Sequence, residues 1–280
     1  MDQWWGDRER RAAAEFLADT MYRAGSGDGS TLPALAKLAV DRSQGLLIRA
    51  SAAEYIASLV AEQRGAGPGR TASPQTQTSF ATGSGATYAG ARGSPGVTSR
   101  APAAVTPAIT NAMIGAANDP EPIVRAAALR ALGTIGDRDR VLSPVLARLV
   151  DPSRVVRAKA AEVLVAFGIV ELPGPAGEAL RKAQEDYIVS LDAFPDVASN
   201  HAAKGWLEAE RGNVMVARDA LNKATAVEAN YAFPWVVKGV LLAREGKFEE
   251  AVEMWKKARS IEPSYPNIDQ LIAEGEKRKK

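Results

Sequence analysis

Apolar residues recur along most of this chain at intervals of three and four, the spacing of amphipathic helices, and the strict alternation of a half-buried strand is scarce. One stripe runs Val124, Ala128, Leu129, Leu132, and a second runs Val156, Ala160, Val163, Leu164. They belong to a repeat: DPEPIVRAAALRALGTIG at 119–136 returns 32 residues later as DPSRVVRAKAAEVLVAFG at 151–168. In each copy Asp119 or Asp151 is expected to cap the coming helix, the proline behind it to sit in the first turn, and Gly136 or Gly168 to end the run. Apolar stretches at 105–117 and 141–150 precede the two copies, so the predicted unit is a helical hairpin. A weaker third copy spans 32–59 and puts Ile48, Arg49, Ala52 and Ala53 in the corresponding places. Its loop is two residues longer, so Asp41 lies eight positions before Arg49 rather than six. A further helical segment is expected over 7–22.

The C-terminal third keeps a different period. Gly205, Gly212, Ala217 and Ala224 return 34 residues on as Gly239, Gly246, Ala251 and Ala258, with His201 opposite Trp235 and Leu221 opposite Trp255. Two hairpins are predicted, 198–231 and 232–265, preceded by the second helix of a degenerate copy at 176–191 and followed by a terminal helix from 268 whose polar face caps the stack. Gly205 and Gly239 mark places where two helices cross closely.

The paired Asp119/Arg125 and Asp151/Arg157, six positions apart, resemble HEAT repeats, and the resemblance implies a ladder of Asp–Arg contacts between successive units. Trp235, Gly239, Gly246, Phe248, Ala251, Ala258 and Pro263 resemble the motif of tetratricopeptide (TPR) repeats. Together these imply an all-α fold, an α-solenoid of HEAT-like hairpins followed by TPR repeats. The expected organisation is N-terminal helices with a HEAT-like hairpin over 1–63, two HEAT-like repeats over 104–172 and a TPR domain over 173–280. The TPR resemblance further implies a concave groove for a protein partner, lined by Trp206, Glu210, Phe233, Val236, Val240 and Arg244. On that expectation, Trp206→Ala with Val240→Asp weakens partner binding while the chain stays helical. The same order of repeats, with Trp4 and Trp5 ahead of an Arg-rich helix, is similar to the haem-free C-terminal region of multihaem c-type cytochromes. That resemblance implies an accessory or split piece docking on an electron-transfer partner such as a c-type cytochrome, and a periplasmic or extracellular location; without it the expected location is cytoplasmic.

Between the first hairpin and the rest, thirty-one of the 40 residues from 64 to 103 are Gly, Ala, Ser, Thr or Pro, a composition that predicts a disordered, flexible linker. Its Arg64, Arg70, Arg92 and Arg100 account for more than the formal net charge of +2, which leaves the helical body slightly acidic and unlike a nucleic-acid-binding domain.

Composition narrows the chemistry. No Cys and a single His exclude thiolate metal sites, disulfides, covalent haem and multi-His metal centres, so no cofactor is expected. GSGDGST at 25–31 and GPGRT at 67–71 lack the Gly-Lys-Ser/Thr of a phosphate loop; the first reads as a loop in which Ser30 or Thr31 caps the next helix. No signal-peptide-like or membrane-spanning apolar run occurs. His201, the one imidazole, stands in the slot that holds Trp235 in the next repeat and is expected to pack there with a hydrogen bond; an enzyme using it as a base is the alternative. The chain therefore reads as a non-enzymatic protein-interaction scaffold.

Overall fold

The structure is a computed structural model that describes residues 8–63 and 105–279, with side-chain detail from residue 12 onward. Trp4, Trp5 and the 64–103 stretch lie outside these residues. Among the described residues there are thirteen α-helices, two short 3-10 turns and no strand. Before the insertion come α1 (Arg8–Gly25), α2 (Leu32–Val40) and α3 (Leu46–Gln63). After it come α4 (Pro107–Ala116), α5 (Pro122–Ile135), α6 (Arg138–Leu146), α7 (Arg154–Ala166) and α8 (Gly174–Asp192). The C-terminal helices are α9 (Ala198–Glu210), α10 (Val214–Val227), α11 (Ala232–Arg244), α12 (Phe248–Ile261) and α13 (Ile268–Arg278).

Consecutive helices pack in pairs and each pair packs on the next, an all-α solenoid. α3, α5 and α7 lie side by side, with α2 against α4 in the other row. Small residues make this close approach possible: Ala52, Ala53, Ala128, Ala131, Ala160 and Ala161 are all fully buried. α5 ends where predicted, with Gly136 in the left-handed region at φ 65°, a conformation that costs a residue with a Cβ about 1–2 kcal/mol. α6 carries Pro144 inside its last turn and tightens into a 3-10 turn at Ala147–Val150, so the α-helical span ends before the apolar pattern does.

The helix starts differ from expectation in one respect. Asp119 and Asp151 do not cap α5 and α7; each accepts the backbone N–H two residues on, from Glu121 and Ser153, in the turn before the helix. The first-turn proline of α5 is Pro122, while Pro120 and Pro152 stand outside and lend their carbonyls to arginines. In the early Gly-rich loop the cap is Asp28, whose carboxylate accepts from the Ser30 N–H and pairs with Arg23.

α8 joins the two periods. It packs on α7 on one side and α9 on the other, and Gln184 Nε2 donates to the Val170 carbonyl at 2.9 Å. One hydrophobic core runs without a break from Leu32 and Ile56 through Leu129, Leu164 and Leu180 to Trp206, Leu221, Phe233 and Leu241. A second cluster joins Val236, Val240 and Trp255 to Ile268, Leu271 and Ile272 of α13, which closes the stack.

Candidate functional site

Three arginines of the HEAT-like part form a ladder, buried at Arg49 and Arg125 and half-buried at Arg157. Arg125 on α5 donates from Nε and Nη2 to both carboxylate oxygens of Asp151 at 2.9 and 2.8 Å, and from Nη1 to the carbonyls of Asp119 and Pro120. Arg49 on α3 makes the same forked contact with Asp119, at 3.1 Å on each arm. Arg157 on α7 reaches Asp186 on α8 at 2.7 Å, where Arg154 joins it at 2.9 Å. Each rung thus joins one hairpin to the following one, and the bidentate geometry of the Arg49 and Arg125 rungs fixes the relative placement of the hairpins they join. Burial works most strongly against the Asp151 charge, but the Arg125 hydrogen bond, the Ser153 N–H and the Arg125 and Arg148 charges together hold its carboxyl below the usual range.

Two features of the ladder escape the sequence pattern. Asp41 takes no rung; it accepts from Ser43 and Gln44 in its own lengthened loop, while Arg49 pairs with the hairpin beyond the insertion. Asp186 supplies the last rung from the middle of α8, without the Asp-Pro start that marks the others.

Directly before the ladder arginines the solenoid exposes a row of apolar side chains. Leu47, Ile123 and Val155 each stand two residues ahead of Arg49, Arg125 and Arg157, at equivalent places in three hairpins, and are 68, 50 and 62% exposed. Val150, in the turn leading to Asp151, adds a fourth exposed apolar side chain. Their neighbours Val124 and Val156 are fully buried and Ile48 is half-buried, so in the two later hairpins one member of the apolar pair goes to the core and the other to solvent.

The groove expected in the C-terminal part takes another form. Trp206, Phe233, Val236 and Val240 are all buried and form core, not an open partner surface. The reason is α11, which is apolar on every side: Val237 and Leu241 join the long core, Val236 and Val240 pack with α12 and α13, and the Phe233 ring lies 6.3 Å from the Trp206 ring. The Trp206 indole N–H is left without a hydrogen-bond partner inside this contact. Glu210 and Arg244 do reach the surface, where they pair with each other at 2.6 Å across α9 and α11. Glu208, buried, is met by Arg211 and Asn213.

His201 behaves as its repeat position implies. Its Nε2 donates to the Pro195 carbonyl at 2.7 Å, and Trp235 Nε1 in the next hairpin donates to Ala229 at 3.2 Å, each six residues back. The hydrogen bond places the proton on Nε2. Around the ring stand the ion pairs Lys204–Asp192 and Lys223–Asp219. Among the described residues no three His, Asp or Glu side chains are grouped to hold a metal ion, and no helix is long and apolar enough to cross a membrane.

Residues 102–185 match a family model described as HEAT repeats, a stretch that takes in α4 to α7 and runs into α8 up to the residue before Asp186. No curated protein and no solved structure matches the chain. Over that stretch the chain is similar to HEAT repeats, and it carries HEAT-like hairpins, joined by a buried Arg–Asp ladder, within an all-α solenoid.

Proposed function

We propose that this protein is a non-catalytic interaction scaffold and that a partner protein docks along the exposed row Leu47, Ile123, Val150 and Val155. HEAT repeats are commonly scaffolds of this kind, which supports the class of function. One observation carries the site: an apolar side chain is held in solvent at the same position of three successive hairpins, and buried forked ion pairs fix the spacing between them. An isolated exposed valine means little, but a repeated one on a rigid frame offers a linear series of anchors. The C-terminal hairpins are read as TPR-like, supported by the matching close approaches of Gly205 to Leu221 and Gly239 to Trp255 and by the His201 and Trp235 hydrogen bonds. In this reading they stiffen and close the scaffold, and the Glu210–Arg244 pair clamps α9 to α11.

The test is a photo-crosslinking residue placed at Ile123, with a second placed at Met215, which is 80% exposed on the C-terminal part, as control. A protein captured at Ile123 and not at Met215 should no longer bind the variant Leu47→Asp/Ile123→Asp/Val155→Asp. Because these side chains are exposed, each substitution should change stability by no more than about 0.5 kcal/mol. Full affinity of that partner for the folded triple variant removes the row from the site.

A further inference from the structure

A second, separate feature lies between α10, α11 and α12. There a cavity of about 160 Å³ is lined by Arg218, Asn222, Lys238, Leu241, Leu242 and Met254. Lys238 is the one cation inside the otherwise apolar helix α11, which ends at Arg244, and the residue is partly buried. Its Nζ donates to Thr225 Oγ1 at 2.9 Å and lies 4.7 Å from the centre of the Trp235 ring. Neither partner carries charge, and among the described residues no carboxylate stands within ion-pair distance of it. Arg218 at the mouth is different: it is paired with Glu245, which also holds Lys247. Burial alone pushes the Lys238 ammonium below its ordinary range, the mark of a cation without a compensating anion.

A partly desolvated ammonium over an apolar floor selects an anion that brings its own apolar body. We propose that this cavity binds a small aliphatic carboxylate, with the carboxylate on Lys238 and the stem against Leu241, Leu242 and Met254. An ammonium has three N–H donors and Thr225 takes one, so Lys238 can still donate to an incoming oxygen. Asn222 also lines the cavity, and its side-chain amide can donate to the second oxygen. Glu245 does not oppose an anion strongly, because Arg218 and Lys247 neutralise it. A free fatty acid and the carboxyl terminus of a peptide share this chemistry; the small volume of the cavity favours the free acid.

Hexanoate is the probe, titrated calorimetrically into the full chain beside 1-hexanol and the free acid of acetyl-alanyl-leucine. Hexanoate should bind saturably and 1-hexanol at least about tenfold more weakly, since a hydrogen bond to a charged group is worth about 10- to 100-fold. Lys238→Met should lose the same factor, and Lys238→Arg should keep most of the binding. A readout on the unaltered residue guards against a variant that fails to fold: in protein labelled with 13C-lysine, the Lys238 Cε resonance should titrate at higher pH when hexanoate is present. Equal binding of 1-hexanol, undiminished affinity in folded Lys238→Met, an unmoved Lys238 titration or no saturable binding would each overturn the proposal. Tighter binding of the peptide acid than of hexanoate would reassign the cavity to chain termini.

Discussion

Replacing Arg125 by Met tests a buried rung of the ladder. Asp151 and Arg125 expose only 2 and 9% of their side chains, so the substitution strands a carboxylate that water cannot reach. Removing one partner of a buried pair costs about 3–5 kcal/mol. The lower part of that range is expected, because Asp151 keeps the Ser153 N–H and has Arg148 at 3.6 Å. Against a total stability of about 5–15 kcal/mol this is a large loss, and in urea unfolding followed by circular dichroism it should move the midpoint down by about 1–2 M. The double variant Arg125→Met/Asp151→Leu should recover much of it, because no charge is then left buried; the Asp119 and Pro120 carbonyls still lose their donor, at about 1 kcal/mol each. The coupling in the double-mutant cycle should be about 2–3 kcal/mol. Acid gives an independent check with a definite sign. The folded Asp151 carboxyl is held below its ordinary value of 3.8, so its contribution is complete above that pH and is lost as the pH falls through the lower folded value. In Arg125→Met, burial dominates and raises the Asp151 pKa, so protonation relieves the stranded charge and the gap between variant and wild type narrows in acid. A coupling under about 0.5 kcal/mol, or a gap that does not narrow below about pH 4, refutes the account of the ladder.

Two further substitutions probe the C-terminal stack. A Cβ on Gly239 would stand 2.5 Å from Trp255 Cδ1, so Gly239→Ala should cost about 1–3 kcal/mol in thermal or urea unfolding, whereas Gly45→Ala, with nothing within 4 Å, should stay within about 0.5 kcal/mol. Trp206→Ala should cost about 3–5 kcal/mol by opening the contact with Phe233, so the combination with Val240→Asp unfolds this part instead of preserving helix content; retention of wild-type stability would show that the Trp206 site is open.

Periodicity and repeat spacing made the fold legible. The Asp–Arg spacing at 119/125 and 151/157 led directly to the rung between Arg125 and Asp151, because that contact lies between two copies with similar loops. It could not reveal Asp186, whose carboxylate comes from inside a helix with no local signature, or the partner of Arg49, which depends on which hairpins meet in space. The exposed row had a readable sign in the apolar pairs Leu47–Ile48, Ile123–Val124 and Val155–Val156, where a single inward residue would satisfy the helix. The buried groove had one too: α11 is apolar all round, the pattern of a helix covered on every side, and repeat position alone concealed it. Lys238 stood out in that helix as its one interior cation, but which residues would leave it without an anion depended on packing.

The rung between Arg49 and Asp119 joins side chains 70 positions apart, with the whole insertion between them. Closing such a span costs little more than closing a short one, since each doubling of length adds only about 0.6 kcal/mol. Polypeptide continuity is therefore a minor part of what binds the first hairpin to the second; the forked ion pair and the face between α3 and α5 do that. This makes the insertion a natural place for new chain ends. Two separately made fragments, meeting at α3 and α5, should complement each other noncovalently.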